Sequence, residues 1–96
     1  MTKLFDGLTT NQFVSYTLDD STENYNKLFL SVGTATSTVT TLASGMIPVS
    51  FYNLKTNGSY IRIYNNDTTY MDIYKKDNTH MYIRSYGTYC GVYGIV

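Results

Sequence analysis

The sequence predicts an all-β domain, an antiparallel β-sandwich of jelly-roll-like form that ends in a meander of three to four strands. Three observations predict it. No window of roughly eleven residues carries the i, i+3, i+4, i+7 apolar spacing of an amphipathic helix. β-Branched and aromatic residues dominate, with 11 tyrosines among 96 residues, and alanine stands only at Ala35 and Ala43; such side chains suit a pleated surface. The third observation is a repeat at a spacing of ten: Tyr60-Ile61-Arg62-Ile63-Tyr64, then Tyr70-Met71-Asp72-Ile73-Tyr74, then His80-Met81-Tyr82-Ile83-Arg84. One domain across 1–96 is the natural reading of a chain this long.

In chain order, strands are expected at residues 3–5, 12–18, 27–32, 38–42, 49–54, 59–65, 69–75, 80–85 and 89–95. Asp6-Gly7 ends the first. Asp19-Asp20-Ser21-Thr22-Glu23-Asn24 is a polar connection in which Asp20 and Glu23 have the spacing of a capping box around one helical turn. Pro48 lacks a backbone donor, which points to an edge strand, a strand start or a bulge around residues 46–54. Asn57-Gly58 is a tight-hairpin dipeptide. Gly87, Gly91 and Gly94 suggest bulges or close backbone packing in the last strand. Many short strands at this spacing read as a sandwich or barrel.

The repeat is the most informative segment. Its connectors, residues 65–69 and 75–79, are short and polar, too short for the crossover of about a dozen residues that parallel strands need. The three runs are therefore expected as an antiparallel meander. Alternation puts Ile61, Ile63, Met71, Ile73, Met81 and Ile83 on one face, the core. Tyr60, Arg62, Tyr64, Tyr70, Asp72, Tyr74, His80, Tyr82 and Arg84 share the other. Hairpins symmetric about Asp67 and Asp77 would set Arg62 opposite Asp72, and Asp72 opposite Tyr82. Tyr60, Tyr74 and His80 would form a second row, and Tyr64, Tyr70 and Arg84 a third. Such a grid is open to three readings: a ligand-binding surface, a subunit interface, or an ordinary sheet face rich in residues of high β-propensity.

Charge narrows the partners. Seven basic residues balance seven acidic ones, whereas nucleic acid and anionic membranes demand a positive field; neither is expected as the main partner, and no membrane insertion is expected. Near-neutrality also leaves little electrostatic protection against self-association. No run of apolar residues is long enough to span a bilayer. Met1 to Asp6 has no apolar core of a signal peptide, so the chain is read as made in the cytoplasm, and the sequons at Asn57 and Asn66 are read as chance.

No catalytic machinery, metal site or cofactor is expected. His80 and Cys90 are the lone histidine and cysteine; a dyad between them is arithmetically possible, but no third orienting group is evident. The same two residues cannot build a zinc site, and Asp67 and Asp77 lack the ligand density of a calcium loop. Asp19, Asp20 and Glu23 read as a solvated turn.

Two segments carry a resemblance. One runs from Leu4-Phe5-Asp6-Gly7 through the strand at 13–18 and on from Leu18 through Ser21, Asn24 and Tyr25 to Val32; the other is the ending Gly91-Val92-Tyr93-Gly94-Ile95-Val96. Together they resemble a module at the C-termini of tail-fibre and minor structural proteins of bacteriophages of Gram-positive hosts. The layout covers the whole chain, though only about a third of residues carry it. The resemblance implies a β-sandwich, often a homotrimer, at the distal end of a virion tail beside other tail proteins. It implies adhesion to host cell-surface polysaccharide or teichoic acid, and it assigns no sugar-contacting residue. Such modules usually end a long fibre, whereas this sequence starts at Met1 without a shaft. The expectation is a non-catalytic receptor-binding module; the alternative is an oligomeric virion assembly protein with no ligand of its own.

Overall fold

The computed structural model describes residues 1–34 and 41–96. Two antiparallel sheets of four strands pack face to face. The first holds β1 (Thr2–Leu8), β8 (Tyr89–Ile95), β3 (Lys27–Val32) and β4 (Ala43–Pro48), in that order. The second holds β2 (Val14–Thr17), β7 (His80–Ser85), β6 (Thr69–Asp77) and β5 (Ile61–Asn66). The expected all-β sandwich is thus the fold, and strands 27–32, 80–85 and 89–95 form with the expected bounds. The jelly-roll character lies in the closure of the chain on itself. β1 pairs with β8 and β2 with β7, while β3–β4 is a local hairpin and β5–β6–β7 a meander.

Alternation builds the core. Leu28, Leu30 and Val32 of β3 and Cys90 and Val92 of β8 face inward from one sheet. Met71, Ile73, Met81 and Ile83 face them from the other, all fully buried. Ile61 and Ile63 lie on the same side but only half-buried, because β5 is an edge strand. Each fully buried aliphatic side chain contributes roughly 1.5–3 kcal/mol.

Two expected strands need correction. Residues 49–54 do not form a strand. Pro48 ends β4 and stands at the head of α1 (Val49–Tyr52), a single helical turn. Without an N–H, proline suits the last position of an edge strand and the approach to a helix. Val49 N donates instead to Asn26 O (2.9 Å), and the turn drives Val49 and Tyr52 into the core. Of the expected strand 38–42, residues 38–40 lie outside the described residues, and Thr41 and Leu42 are not in a strand. The Asn57-Gly58 turn forms, with both residues in the left-handed region (φ 54° and 84°). It leads from the end of α1 into β5 rather than joining two strands.

The Asp19–Asn24 connection contains the expected turn, a 3₁₀ turn at Thr22–Asn24, but its cap is Ser21, whose Oγ accepts from Glu23 N (3.3 Å). Asp20 instead braces the outside of the turn. Its carboxylate accepts from Ser21 N (2.8 Å), Asn24 Nδ2 (2.9 Å) and Tyr25 Oη (2.8 Å). These bonds, the Tyr25 hydroxyl foremost, hold its pKa below the ordinary value. The Tyr25 ring then lies flat on Gly94 of β8, where an added Cβ would come within 2.5–2.8 Å of it. The Asn24-Tyr25 turn and the Tyr93-Gly94 ending, far apart in sequence, are thus two halves of one contact.

Candidate functional site

The outer face of the second sheet gathers most of the residues expected there. β5, β6 and β7 alternate cleanly: with their isoleucines and methionines inside, Arg62, Tyr70, Asp72, Tyr74, Tyr82 and Arg84 must point outward. Asp72 sits on β6, the strand between β5 and β7, so it has a cross-strand neighbour on each side. Both are arginines: Arg62 pairs with Asp72 in register, and Asp72 with Arg84.

The first of these pairings is the expected one; the second is a correction. Asp72 faces Arg84, not Tyr82, and Tyr82 faces Tyr74. The cause lies in the hairpin. The register shifts between Lys75 and Asp77, and the chain turns at Asn78-Thr79 rather than about Asp77. Asp77 Oδ1 accepts from Thr79 N (2.9 Å) and lies 2.8 Å from His80 Nδ1, which fixes that turn. The displacement along β7 is an even number of residues, so no side chain changes face. The expected rows therefore dissolve, although Tyr64 and Tyr70 do face each other.

Asp72 is fully buried beneath its partners. Arg62 donates from Nε to Oδ1 (2.7 Å) and from Nη2 to Oδ2 (3.0 Å). Arg84 donates from Nε (3.0 Å) and Nη2 (2.7 Å) to Oδ2. Four charge-assisted bonds offset the desolvation of the carboxylate, and the bonds to Asp72 push the Arg62 pKa above its ordinary value.

Aromatic rings cover both guanidinium groups. Arg62 lies 4.4 Å from the Tyr70 ring centre and 5.8 Å from that of Tyr60. Arg84 lies 4.2 Å from Phe13 and 5.0 Å from Tyr60. Phe13 meets Tyr74 edge-on at 4.8 Å, and Tyr74 stacks on Tyr82 at 4.5 Å. The result is a paved surface whose arginine side chains remain 40% and 26% exposed. Its fixed charge of two arginines against one aspartate favours ligands rich in hydrogen-bond acceptors and flat apolar faces.

Two expected members stand apart from this cluster. Tyr64 turns toward the β5–β6 hairpin and donates to Asp67 Oδ1 (2.8 Å). His80 sits at the β6–β7 turn with Asp77 and Thr79. Phe13 was not among the expected residues. It precedes β2, and extending the β2–β7 register by one residue sets it opposite Arg84. Its only sequence signal is its parity with Ser15 in the expected strand 12–18.

His80 and Cys90 lie on different sheets and take different partners. Cys90 is buried on β8 with its Sγ 3.3 Å from Thr9 Oγ1, and burial raises its pKa, keeping the thiol protonated. Among the described residues no three His, Cys, Asp or Glu side chains converge as metal ligands. No helix among them is long and apolar enough to cross a membrane. No family model, curated protein or solved structure matches this chain.

Proposed function

We propose that this chain is a non-catalytic receptor-binding module of a phage tail fibre or tail tip, binding host cell-surface glycans through the outer face of β5, β6 and β7. One observation carries the reading: the Arg62–Asp72–Arg84 clamp holds two partly exposed arginine side chains against a pavement of Phe13, Tyr60, Tyr70, Tyr74 and Tyr82. Tyrosine rings match the C–H faces of sugars, and fixed arginines match their oxygens, with little ordering left to do on binding. The tail location comes from the sequence resemblance, whose implied β-sandwich agrees with the fold.

The test is biolayer interferometry of the immobilised domain against purified wall polysaccharides and teichoic acids of Gram-positive cells. Saturable binding to at least one polymer is expected, weakened about tenfold, or 1.4 kcal/mol, by Tyr82→Ala. Silence across the polymers, or binding indifferent to both Tyr82→Ala and Arg84→Ala, would overturn the reading.

A second reading, a virion assembly protein, is favoured by the edge of the first sheet. There Met46 of β4 is 53% exposed in a row with Phe29 and Tyr93, on a chain of zero net charge. On that reading a symmetric oligomer buries this edge and needs no ligand of its own. Light scattering that shows a strict monomer at high concentration would remove it.

A further inference from the structure

A concave feature lies at one end of the sandwich, where β1 passes to β2 and β7 passes to β8. It is an open cleft of about 450 Å³ lined by Leu8, Thr9, Thr10, Asn11, Tyr86 and Gly87. That volume is within the range of about 300–1,000 Å³ of small-molecule sites. The floor is rigid. Thr9 is buried, and its Oγ1 donates to Ser85 Oγ (2.6 Å) with Thr88 O at 3.0 Å. Backbone bonds from Thr9 N to Thr88 O (2.9 Å) and from Ser85 N to Thr10 O (2.8 Å) lock the two connections together. Gly87, at φ 67°, supplies the left-handed residue that turns the chain after Tyr86.

The rim is as telling as the floor. Tyr86 and Leu8 are each 58% exposed, although they border a preformed concavity. Asn11 also lines the cleft and is exposed, and its amide offers both a donor and an acceptor. None of the lining side chains is charged. A flat apolar wall, an uncharged amide and hydroxyl-bearing neighbours suit a ligand that has both a C–H face and neutral hydroxyls.

The cleft also adjoins the aromatic face. Asn11 and Phe13 are two residues apart, as are Tyr86 and Arg84, so their Cα atoms are separated by at most about 7 Å. We propose that this cleft is a second carbohydrate subsite, which takes one neutral pyranose ring stacked on Tyr86 and hydrogen-bonded by Asn11, next to the Phe13–Arg84 end of the paved face. The proposal extends the glycan reading of that face but stands on separate residues, so the two fail separately.

The test is a ¹⁵N-resolved NMR titration of the whole chain with methyl pyranosides of the gluco, galacto, manno, rhamno and N-acetylgluco series at tens of millimolar. At least one sugar is expected to shift the amide signals of Asn11, Tyr86 and Gly87 saturably. Tyr86→Ala should abolish that response, whereas Tyr82→Ala, on the paved face, should leave it intact. No saturable shift in the cleft with any of the sugars, or shifts that survive Tyr86→Ala unchanged, would overturn the subsite. Signals of Phe13, Tyr74 and Arg84 report on the paved face in the same spectra. Shifts there alone would sink the cleft and keep the face; shifts in the cleft alone would do the reverse. Retained dispersion in the Tyr86→Ala spectrum shows that a lost response is not lost folding.

Discussion

The two sheets have similar inner faces and opposite outer ones. On the first sheet the outer side sets small residues, Ser31 and Gly91, beside large ones, Phe29, Tyr93 and Met46. Ser31 and Gly91 pair across β3 and β8, and the Tyr93 ring lies against Gly91, where an added Cβ would stand 3.0 Å from it. On the inner side Tyr25 closes on Gly94, which shares the inward parity of Cys90 and Val92 and pairs with buried Leu28. Here tyrosine folds down onto backbone and seals the sheet. On the second sheet the outer side is thick. The outward positions of its central strands carry Tyr70, Asp72, Tyr74, His80, Tyr82 and Arg84, and tyrosine stacks on tyrosine or arginine instead of on backbone. The same residue type therefore serves closure where its neighbour is glycine and presentation where its neighbour is a paired charge.

The comparison breaks most visibly at Gly94. Gly94→Ala would push a methyl group into the Tyr25 ring, which the Asp20 carboxylate holds by its hydroxyl. A loss of roughly 3 kcal/mol is expected in urea unfolding, and the penalty should shrink sharply in a Tyr25→Ala background, as a double-mutant cycle would show. An unaltered midpoint in the single variant would mean that Tyr25 does not seal the first sheet.

Asp72→Asn tests the second sheet. It removes the charge that orders both arginines but leaves their side chains part-exposed and able to rehydrate. The expected cost is on the order of 2 kcal/mol, smaller than for a pair buried on both sides. It should come with a loss of glycan binding larger than the stability change alone explains. Tyr82→Ala should cost less, below about 1.5 kcal/mol of stability, because the ring packs on a surface rather than in the core. Its main effect belongs to binding. A Tyr82→Ala variant as unstable as Gly94→Ala would erase the distinction between closing and presenting tyrosines.

The smallest effect is at the β6–β7 turn. Hydrogen bonds, first from His80 and then from the Thr79 backbone, lower the Asp77 pKa from 3.8 to about 2. A depressed carboxylate pKa stabilises the folded state above the unfolded value of 3.8, and that contribution is lost as pH falls through about 2. The Thr79 amide signal should therefore titrate near that lower value, and Asp77→Asn should flatten the acid limb of stability. Titration at the ordinary carboxylate value would show that Asp77 does not set the register that brings Arg84 to Asp72.

Much of this architecture was legible in local pattern, and the parts that were not share a cause. Phe13 reaches the paved face only because β2 pairs with β7, across more than sixty residues of chain. The helical turn at Val49–Tyr52 overrides a strand-like run because Pro48 ends the edge strand and the core takes Tyr52. The terminal cleft depends on Thr9 meeting Ser85, which no spacing in the sequence announces.

By itself, then, the sequence determined the class of the fold, the isoleucine and methionine face of the last meander and the Arg62–Asp72 pairing. Period-two alternation and short connectors act over a few residues, and the chain cannot satisfy them in many ways. The tertiary structure alone decided which arginine completes the clamp, which phenylalanine roofs it and where the cleft opens. Those outcomes rest on a turn that moves β7 along β6 and on pairings between the two ends of the chain, where many registers satisfy the local pattern and packing selects among them.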